Sequence, residues 1–346
     1  MRQKLAAVIL VASLLAFPQE PSIKVQTNVV VAPTVVFDKR GNIVNGLGQH
    51  EFVVYDNDKP QEFKVDIAFQ PIDVVVLLQA DAATEDVLPK VKKMAPLLEH
   101  LVVGEQGTVA VIAFDHRIRV MQDFTSDGNK IRTALEKINA GSSTSRQVDA
   151  VSDAVRMLSH RAKDRRRVIL LISETRDKGS EGKLRDSLLL AELNNVIVYT
   201  VNMSRFLNTL TAKTPVPRPS HIPPEARHMP AGGTATPNEV MQNSGWGSNT
   251  VPAFVEVFRQ AKAIFVSNPA EVFTKYTGGR EFNFVTQKSL EEAITKIGEE
   301  LHSQYLISYS PSNKLEGGWH TIVVKVRRPD LEVRTRNGYW LAGVPQ

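Results

Sequence analysis

Short apolar runs alternate along the middle of this chain with stretches in which apolar positions recur at helical spacing. Val74-Val75-Val76-Leu77-Leu78 is a mostly β-branched run closed by the polar turn Gln79–Thr84, which predicts a strand buried on both faces at the centre of a parallel sheet. Val87, Val91, Met94, Leu97, Leu98 and Leu101 then predict a helix over Thr84–Leu101. Strands are predicted at Thr108–Phe114, Ile118–Phe124, Val168–Ile172 and Val196–Asn202. Helices are predicted at Asp127–Ile138, with Ser126 as its cap, at Arg146–Arg161 and at Gly182–Asn194. Alternation of this kind predicts an α/β fold, a doubly wound and mainly parallel sheet covered on both faces.

The two ends of the chain read differently. Val25, Thr27, Val29 and Val31 alternate, and the turns Asp38–Asn42 and Asp56–Pro60 punctuate Ile23–Phe69 as a β-meander. Strands return at Gln304–Tyr309, Trp319–Arg327 and Leu331–Trp340. Neither end is large enough to bury much apolar surface alone. They are therefore expected to pair into one β-sandwich, with the α/β domain inserted through Gln70-Pro71 and Ser303-Gln304. The expected organisation is a leader at 1–21, an N-terminal β segment at 22–70, an α/β domain at 71–303 and a C-terminal β segment at 304–346. Within the α/β domain, 208–250 is rich in Pro, Gly, Ser and Thr and predicts a mobile insertion. Helical texture resumes at Val251–Phe265 and Ala270–Thr277, followed by a strand at Glu281–Val285 and a helix at Ser289–His302.

Composition narrows the function classes. The chain has 346 residues, 42% hydrophobic and 23% charged, which suits about two globular domains. It has no cysteine, which excludes disulfides, thiol catalysis and thiolate metal sites. Arg2 and Lys4 precede the uncharged apolar run Leu5–Phe17, too short to span a bilayer. This predicts a signal peptide and export to the periplasm, cell surface or medium. No later segment has the length and apolarity of a transmembrane helix. The net charge of +5 is scattered except at Arg161–Arg167, read as a solvated helix end feeding a strand rather than a nucleic-acid patch. The eight histidines show no zinc spacing, and no G-x-S-x-G elbow or P-loop occurs. Asp115-His116 reads as a surface loop pair without a nucleophile, and Trp319, Tyr339 and Trp340 as sandwich core.

The chemistry left to consider lies in three loops expected at one carboxyl edge: Gln79–Thr84, Gly141–Ser145 and Ser173–Asp177. Their hydroxyls and carboxylates are the donors a hard divalent cation takes. Further motifs are Asn45-Gly46-Leu47, Glu51-Phe52, Asp56-Asn57-Asp58-Lys59-Pro60-Gln61, Ser173–Ser180, Thr277-Gly278-Gly279, Gln304-Tyr305 and Gly338-Tyr339. With this strand order and loop placing, the chain resembles the von Willebrand factor type A domain. More narrowly, nearly everything after the leader resembles the secreted bacterial proteins described as von Willebrand factor A-related, found notably in Acidobacteria.

The resemblance implies a metal-ion-dependent adhesion site, but an altered one. Where that family has D-x-S-x-S, Gln79 stands for the leading Asp, Asp81 for the first Ser and Ala83 for the second. Thr144 matches the threonine of the second loop, with Ser142 and Ser143 as near alternatives, and Glu174 stands for an aspartate. Asp81, Thr144 and Glu174 are then the residues left to hold a cation, and Gln79, Ala83, Ser142, Ser143 and Asp177 a partner-binding rim. The cofactor is either none or weakly bound magnesium. In the metal-free reading Gln79 and Glu174 only hydrogen-bond loop backbone. The function implied is non-enzymatic adhesion or assembly with another protein. The alternatives are a metal-dependent envelope hydrolase using Asp81 and Glu174, or a structural scaffold.

Overall fold

The strand Ile72–Gln79 is buried along its whole length, and the molecule is layered around it. The computed structural model describes residues 29–66, 70–98, 107–204, 268–314 and 316–341. The expected leader, the insertion at 208–250 and the helical texture at 251–265 lie outside the described residues.

In chain order, β1 (Val30–Asp38), β2 (Phe52–Asp56), β3 (Lys59–Pro60) and β4 (Phe63–Asp66) precede β5 (Ile72–Gln79). Two short helices, α1 (Leu88–Lys92) and α2 (Ala95–Leu98), lead on to β6 (Thr108–Phe114), β7 (Ile118–Thr125), α3 (Gly128–Glu136) and α4 (Gln147–Ser159). Then come β8 (Arg166–Ser173), α5 (Leu184–Leu193), β9 (Val196–Asn202), α6 (Pro269–Thr277), β10 (Glu281–Asn283) and α7 (Gln287–His302). The chain finishes with β11 (Tyr305–Tyr309), β12 (Gly318–Val326), β13 (Leu331–Arg334) and β14 (Gly338–Leu341).

The central sheet runs β10-β9-β8-β5-β6-β7, parallel throughout except for β7, which pairs antiparallel with β6. Period-two alternation divides β5 between two cores. Val74, Val76 and Leu78 pack with Met94, Ile131 and Ile294. Val75 and Leu77 pack with Val151, Val155 and Phe273 on the opposite face. The sheet is thus covered on both sides.

The ends of the chain form two antiparallel sheets, β13-β1-β11-β4 and β14-β12-β2-β3, around a core that includes Ala32, Val36, Val54, Ile307 and Ile322. Each sheet combines strands from before and after the α/β insert, joined at β1–β11, β1–β13 and β11–β4 in one sheet and at β12–β2 in the other. This corrects the meander: β1 has β11 on one side and β13 on the other, so β2 joins the opposite sheet, and only an isolated bridge, Phe37 to Ile43, remains of the expected hairpin.

Three further expectations change. The helix over Thr84–Leu101 is broken into α1 and α2, because Pro96 supplies no N–H and crowds the carbonyl four residues back. Asp127, not Ser126, caps α3, its carboxylate accepting from Asn129 N (2.9 Å) and Lys130 N (3.4 Å). The strand expected at Leu331–Trp340 divides into β13 and β14, which belong to different sheets. At the corner between them Arg336 is buried, donating to Gly338 O (3.0 Å) and Val31 O (3.2 Å).

That corner also joins the two parts. Trp319 meets Tyr276 of α6 edge-on at 5.0 Å, and the Arg185 guanidinium of α5 lies 4.9 Å from the Trp340 ring centre. The two tryptophans expected in the sandwich core therefore face the α/β domain, while Tyr339 is buried. Glu192 of α5 sits in this joint, only 8% exposed, with Arg336 3.9 Å away and Trp340 N donating to it at 3.3 Å. Burial pushes the Glu192 carboxyl up to about 7, although Arg336 pulls it the other way. A raised folded-state value favours the protonated form, so its contribution is complete below about 4.5 and is lost as pH rises through about 7. Urea unfolding across that window should show stability falling by about 3 kcal/mol, and Glu192→Gln should flatten the slope.

Candidate functional site

The three loops meet through backbone bonds before any side chain is considered. Gly141 N donates to Ala80 O (2.8 Å) and Ala82 N to Ser142 O (2.9 Å), joining the first loop to the second. Lys178 N donates to Ser145 O (3.1 Å), joining the third to the second. The first and third follow the carboxyl ends of the parallel strands β5 and β8, where open α/β sheets bind their ligands, and the second, which feeds α4, is bonded to both.

Gln79 ends β5 and is fully buried. Its side-chain carbonyl accepts Glu174 N (2.8 Å), and its amide donates to Asp81 Oδ2 (2.9 Å). It therefore lies beneath the expected rim instead of lining it. Asp81 is also fully buried, and its Oδ1 has no hydrogen-bond partner among the described residues. Burial pushes the Asp81 carboxyl up, while the Gln79 amide and the Lys178 charge pull it down. Thr84 caps the turn, its hydroxyl donating to Asp81 O at 2.8 Å.

In the third loop the Lys178 ammonium lies 2.9 Å from Glu174 Oε2. The Glu174 side chain is 17% exposed and that of Lys178 38%. Thr144 is packed under this loop: a Cβ on Gly179 would fall 2.3 Å from its methyl group. Asp177 is directed inward, with Oδ1 accepting from Gln147 N (3.2 Å), Ser180 N (3.3 Å) and Gly179 N (3.4 Å). It thus shapes the loop and the start of α4 rather than facing a partner. The exposed crest consists of Ala82, Ala83, Ser143, Arg176 and Lys178, with Ser142 half-buried. Among the described residues no group of three His, Cys, Asp or Glu side chains is placed to hold a metal.

Two features escape sequence reading. Lys178 reaches Glu174 across a loop, a spacing without a helical pattern to mark it. Asp149, on α4, accepts from Glu181 N and Gly182 N at 2.9 Å each and pairs with Arg146. Burial raises its carboxyl, but those three donors outweigh burial and hold it below the usual range. The Asp115-His116 pair does find a hydroxyl: His116 Nδ1 is 2.7 Å from Ser142 Oγ and 3.3 Å from Asp115 Oδ1. Both partners approach the same ring nitrogen, so the imidazole cannot relay a proton from one to the other as a nucleophile–base–acid chain requires.

Among solved structures, the chain is similar to an aerotolerance-related membrane protein from Bacteroides fragilis, at 16% identity over 66% of this chain and 99% of that one, with a TM-score of 0.39. It is also similar to the conserved hypothetical protein BatB from Bacteroides thetaiotaomicron, at 14% identity over 66% and 99%, TM-score 0.35. A third is proximal thread matrix protein 1 of the mussel byssus, at 10% identity over 70% of this chain and 49% of that one, TM-score 0.41. No curated protein matches the chain. Residues 79–176, which begin at the end of β5 and reach into the third loop, match the family model of the von Willebrand factor type A domain.

Proposed function

We propose that the chain is an exported, non-enzymatic adhesion or assembly module of the von Willebrand factor A-related secreted group, binding another protein with the crest of its three loops and needing no metal ion to do so. The observation that carries this reading is the Lys178–Glu174 pair at 2.9 Å, with Gln79 bonded to both Asp81 and the Glu174 backbone. A hard cation binds mainly through the number of charged oxygens offered to it. Here Gln79 replaces one such charge, and Lys178 supplies a fixed positive charge beside another. A partner carboxylate would then be met by an ammonium group. The remaining crest is small and uncharged at Ala83 and Ser143, suited to close approach by another surface.

Calorimetry with magnesium, manganese and calcium should give no saturable heat for the wild type. In pull-downs from envelope extract, a band retained by the wild type should be lost from Ala83→Arg and Ser143→Arg, whose exposed positions leave folding intact, and should withstand a chelator. Saturable magnesium binding abolished by Asp81→Ala would overturn the metal-free reading and revive the metal-dependent ones.

A further inference from the structure

The basic run Arg161–Arg167 enters β8, yet several of its side chains turn away from open solvent. Lys163, Arg165, Arg166 and Arg167 line a cleft of about 590 Å³ between the sandwich and the amino-terminal edge of the central sheet, opposite the rim. Asp66 is the one carboxylate of its lining among the described residues, and Val31, Pro33, Ile197 and Leu306 give it an apolar wall. A volume of that size falls within the range of small-molecule sites, roughly 300–1,000 Å³.

The charges in this cleft are poorly balanced. Asp73, fully buried, is shared by two guanidinium groups, with Arg161 Nε and Arg165 Nη2 each 2.8 Å away. Arg167 donates to two backbone carbonyls, Asn194 O (3.1 Å) and Arg161 O (3.0 Å). Arg166 donates to Leu301 O and to the Gln304 side-chain carbonyl. These acceptors are all neutral. The Nε of Arg166 and of Arg167 is buried without an acceptor among the described residues, and burial pushes both guanidinium groups down. The Asp73 charge acts on Arg167 from a distance, but Asp73 is already bonded to Arg161 and Arg165. Half-buried cations whose own hydrogen bonds all go to neutral acceptors are costly, and a bound anion offsets that cost.

We propose that this cleft binds a small organic oxyanion, a carboxylate or phosphate monoester with an apolar body, whose head lies in the basic part of the cleft lined by Lys163, Arg165, Arg166 and Arg167 and whose body lies on Val31, Ile197 and Leu306. Guanidinium forks match the planar or trigonal oxygens of such heads, and the apolar wall selects against a bare inorganic ion. The site is independent of the carboxyl-edge rim.

Calorimetry at low ionic strength with phenyl phosphate, phenylacetate and uncharged benzyl alcohol tests it, because salt screens a partly open site. At least one anion should bind saturably and benzyl alcohol should not. Binding of phenyl phosphate alone identifies a phosphate ester as the ligand class; phenylacetate alone identifies a carboxylate. Lys163→Glu, at an exposed turn position that folding tolerates, should weaken binding about tenfold by reversing one attractive charge. Ser308→Trp should abolish binding by filling the cleft, and Lys178→Ala should leave it unchanged. Failure of both anions to bind the wild type, or undiminished binding by Lys163→Glu and Ser308→Trp, would overturn the proposal.

Discussion

Asp56→Ala should lower the free energy of unfolding by about 3–5 kcal/mol, the loss expected when one member of a buried charged network is removed. Asp56 ends β2 and is fully buried. Its two oxygens accept from Tyr309 Oη (2.9 Å), Tyr339 Oη (2.7 Å), Asn313 Nδ2 (3.1 Å) and His320 Nδ1 (2.6 Å). Those donors come from β11, β14, β12 and the loop between β11 and β12, so a single carboxylate ties both sheets of the sandwich together. Burial pushes the Tyr309 and Tyr339 hydroxyls up, and the Asp56 charge adds to the shift, so both stay protonated and donate. Alanine would remove the acceptor of Tyr309, Tyr339 and His320, at about 1–3 kcal/mol for each that finds no new one, while Asn313 Nδ2 keeps Glu316 Oε2 at 3.0 Å. Asp56→Asn keeps the shape but offers one acceptor oxygen and two donor hydrogens; it should cost about half as much. Urea titration followed by tryptophan fluorescence would measure both, since Trp319 and Trp340 lie in the adjoining strands. A loss below about 1 kcal/mol for Asp56→Ala would show that the network is not what holds the sheets together.

The same residue marks how far local pattern reaches. Asp56-Asn57-Asp58 reads as turn chemistry, and Asn57 and Asp58 do adopt positive φ, 46° and 62°. Nothing in that tripeptide reveals that the Asp56 carboxylate is completed by residues more than 250 positions away. The central sheet was legible because burial on both faces leaves an unbroken apolar run, as in β5, and because strand–helix alternation restricts the topology. Spacing alone failed where a stronger local term acted. Pro96 interrupts an otherwise regular helical stripe, and Asp127 outcompetes Ser126 for the exposed N–H groups of α3.

At the carboxyl edge, topology explains why Gln79–Thr84, Gly141–Ser145 and Ser173–Asp177 come together, but not which atoms face outward. Gln79 and Asp177 carry the polar groups expected of a rim, and both direct them into the protein. Residue type shows what a side chain can bond to. Direction comes from the tertiary contacts.

Gly141→Ala is the second substitution with a large expected effect, and it acts on the rim itself. The reason is space rather than backbone conformation: a Cβ at this position would fall 1.7 Å from Asp115 Oδ2 and 2.8 Å from its Cγ. Asp115 has little freedom to withdraw. It is fully buried, its Oδ1 accepts Arg117 N at 2.7 Å, and its backbone bonds to Arg117 O (3.0 Å) and Arg146 N (2.9 Å) at the start of α4. The second loop must therefore move, which breaks the Gly141–Ala80 and Ala82–Ser142 bonds that join it to the first. We expect a loss of about 2–4 kcal/mol, in the range of an overpacked core position with a broken hydrogen-bond junction, together with loss of the partner retained by the wild type. Asp115→Ala in the same chain removes both atoms that lie within 3.0 Å and leaves its Cβ 3.3 Å away, so the double variant should recover most of the stability lost by Gly141→Ala, and the coupling in that double-mutant cycle should be at least about 1 kcal/mol. Additive effects of the two changes would mean that the Gly141–Asp115 approach does not set the loop, and the rim would then have to be positioned by the third loop and the Asp149 contacts alone.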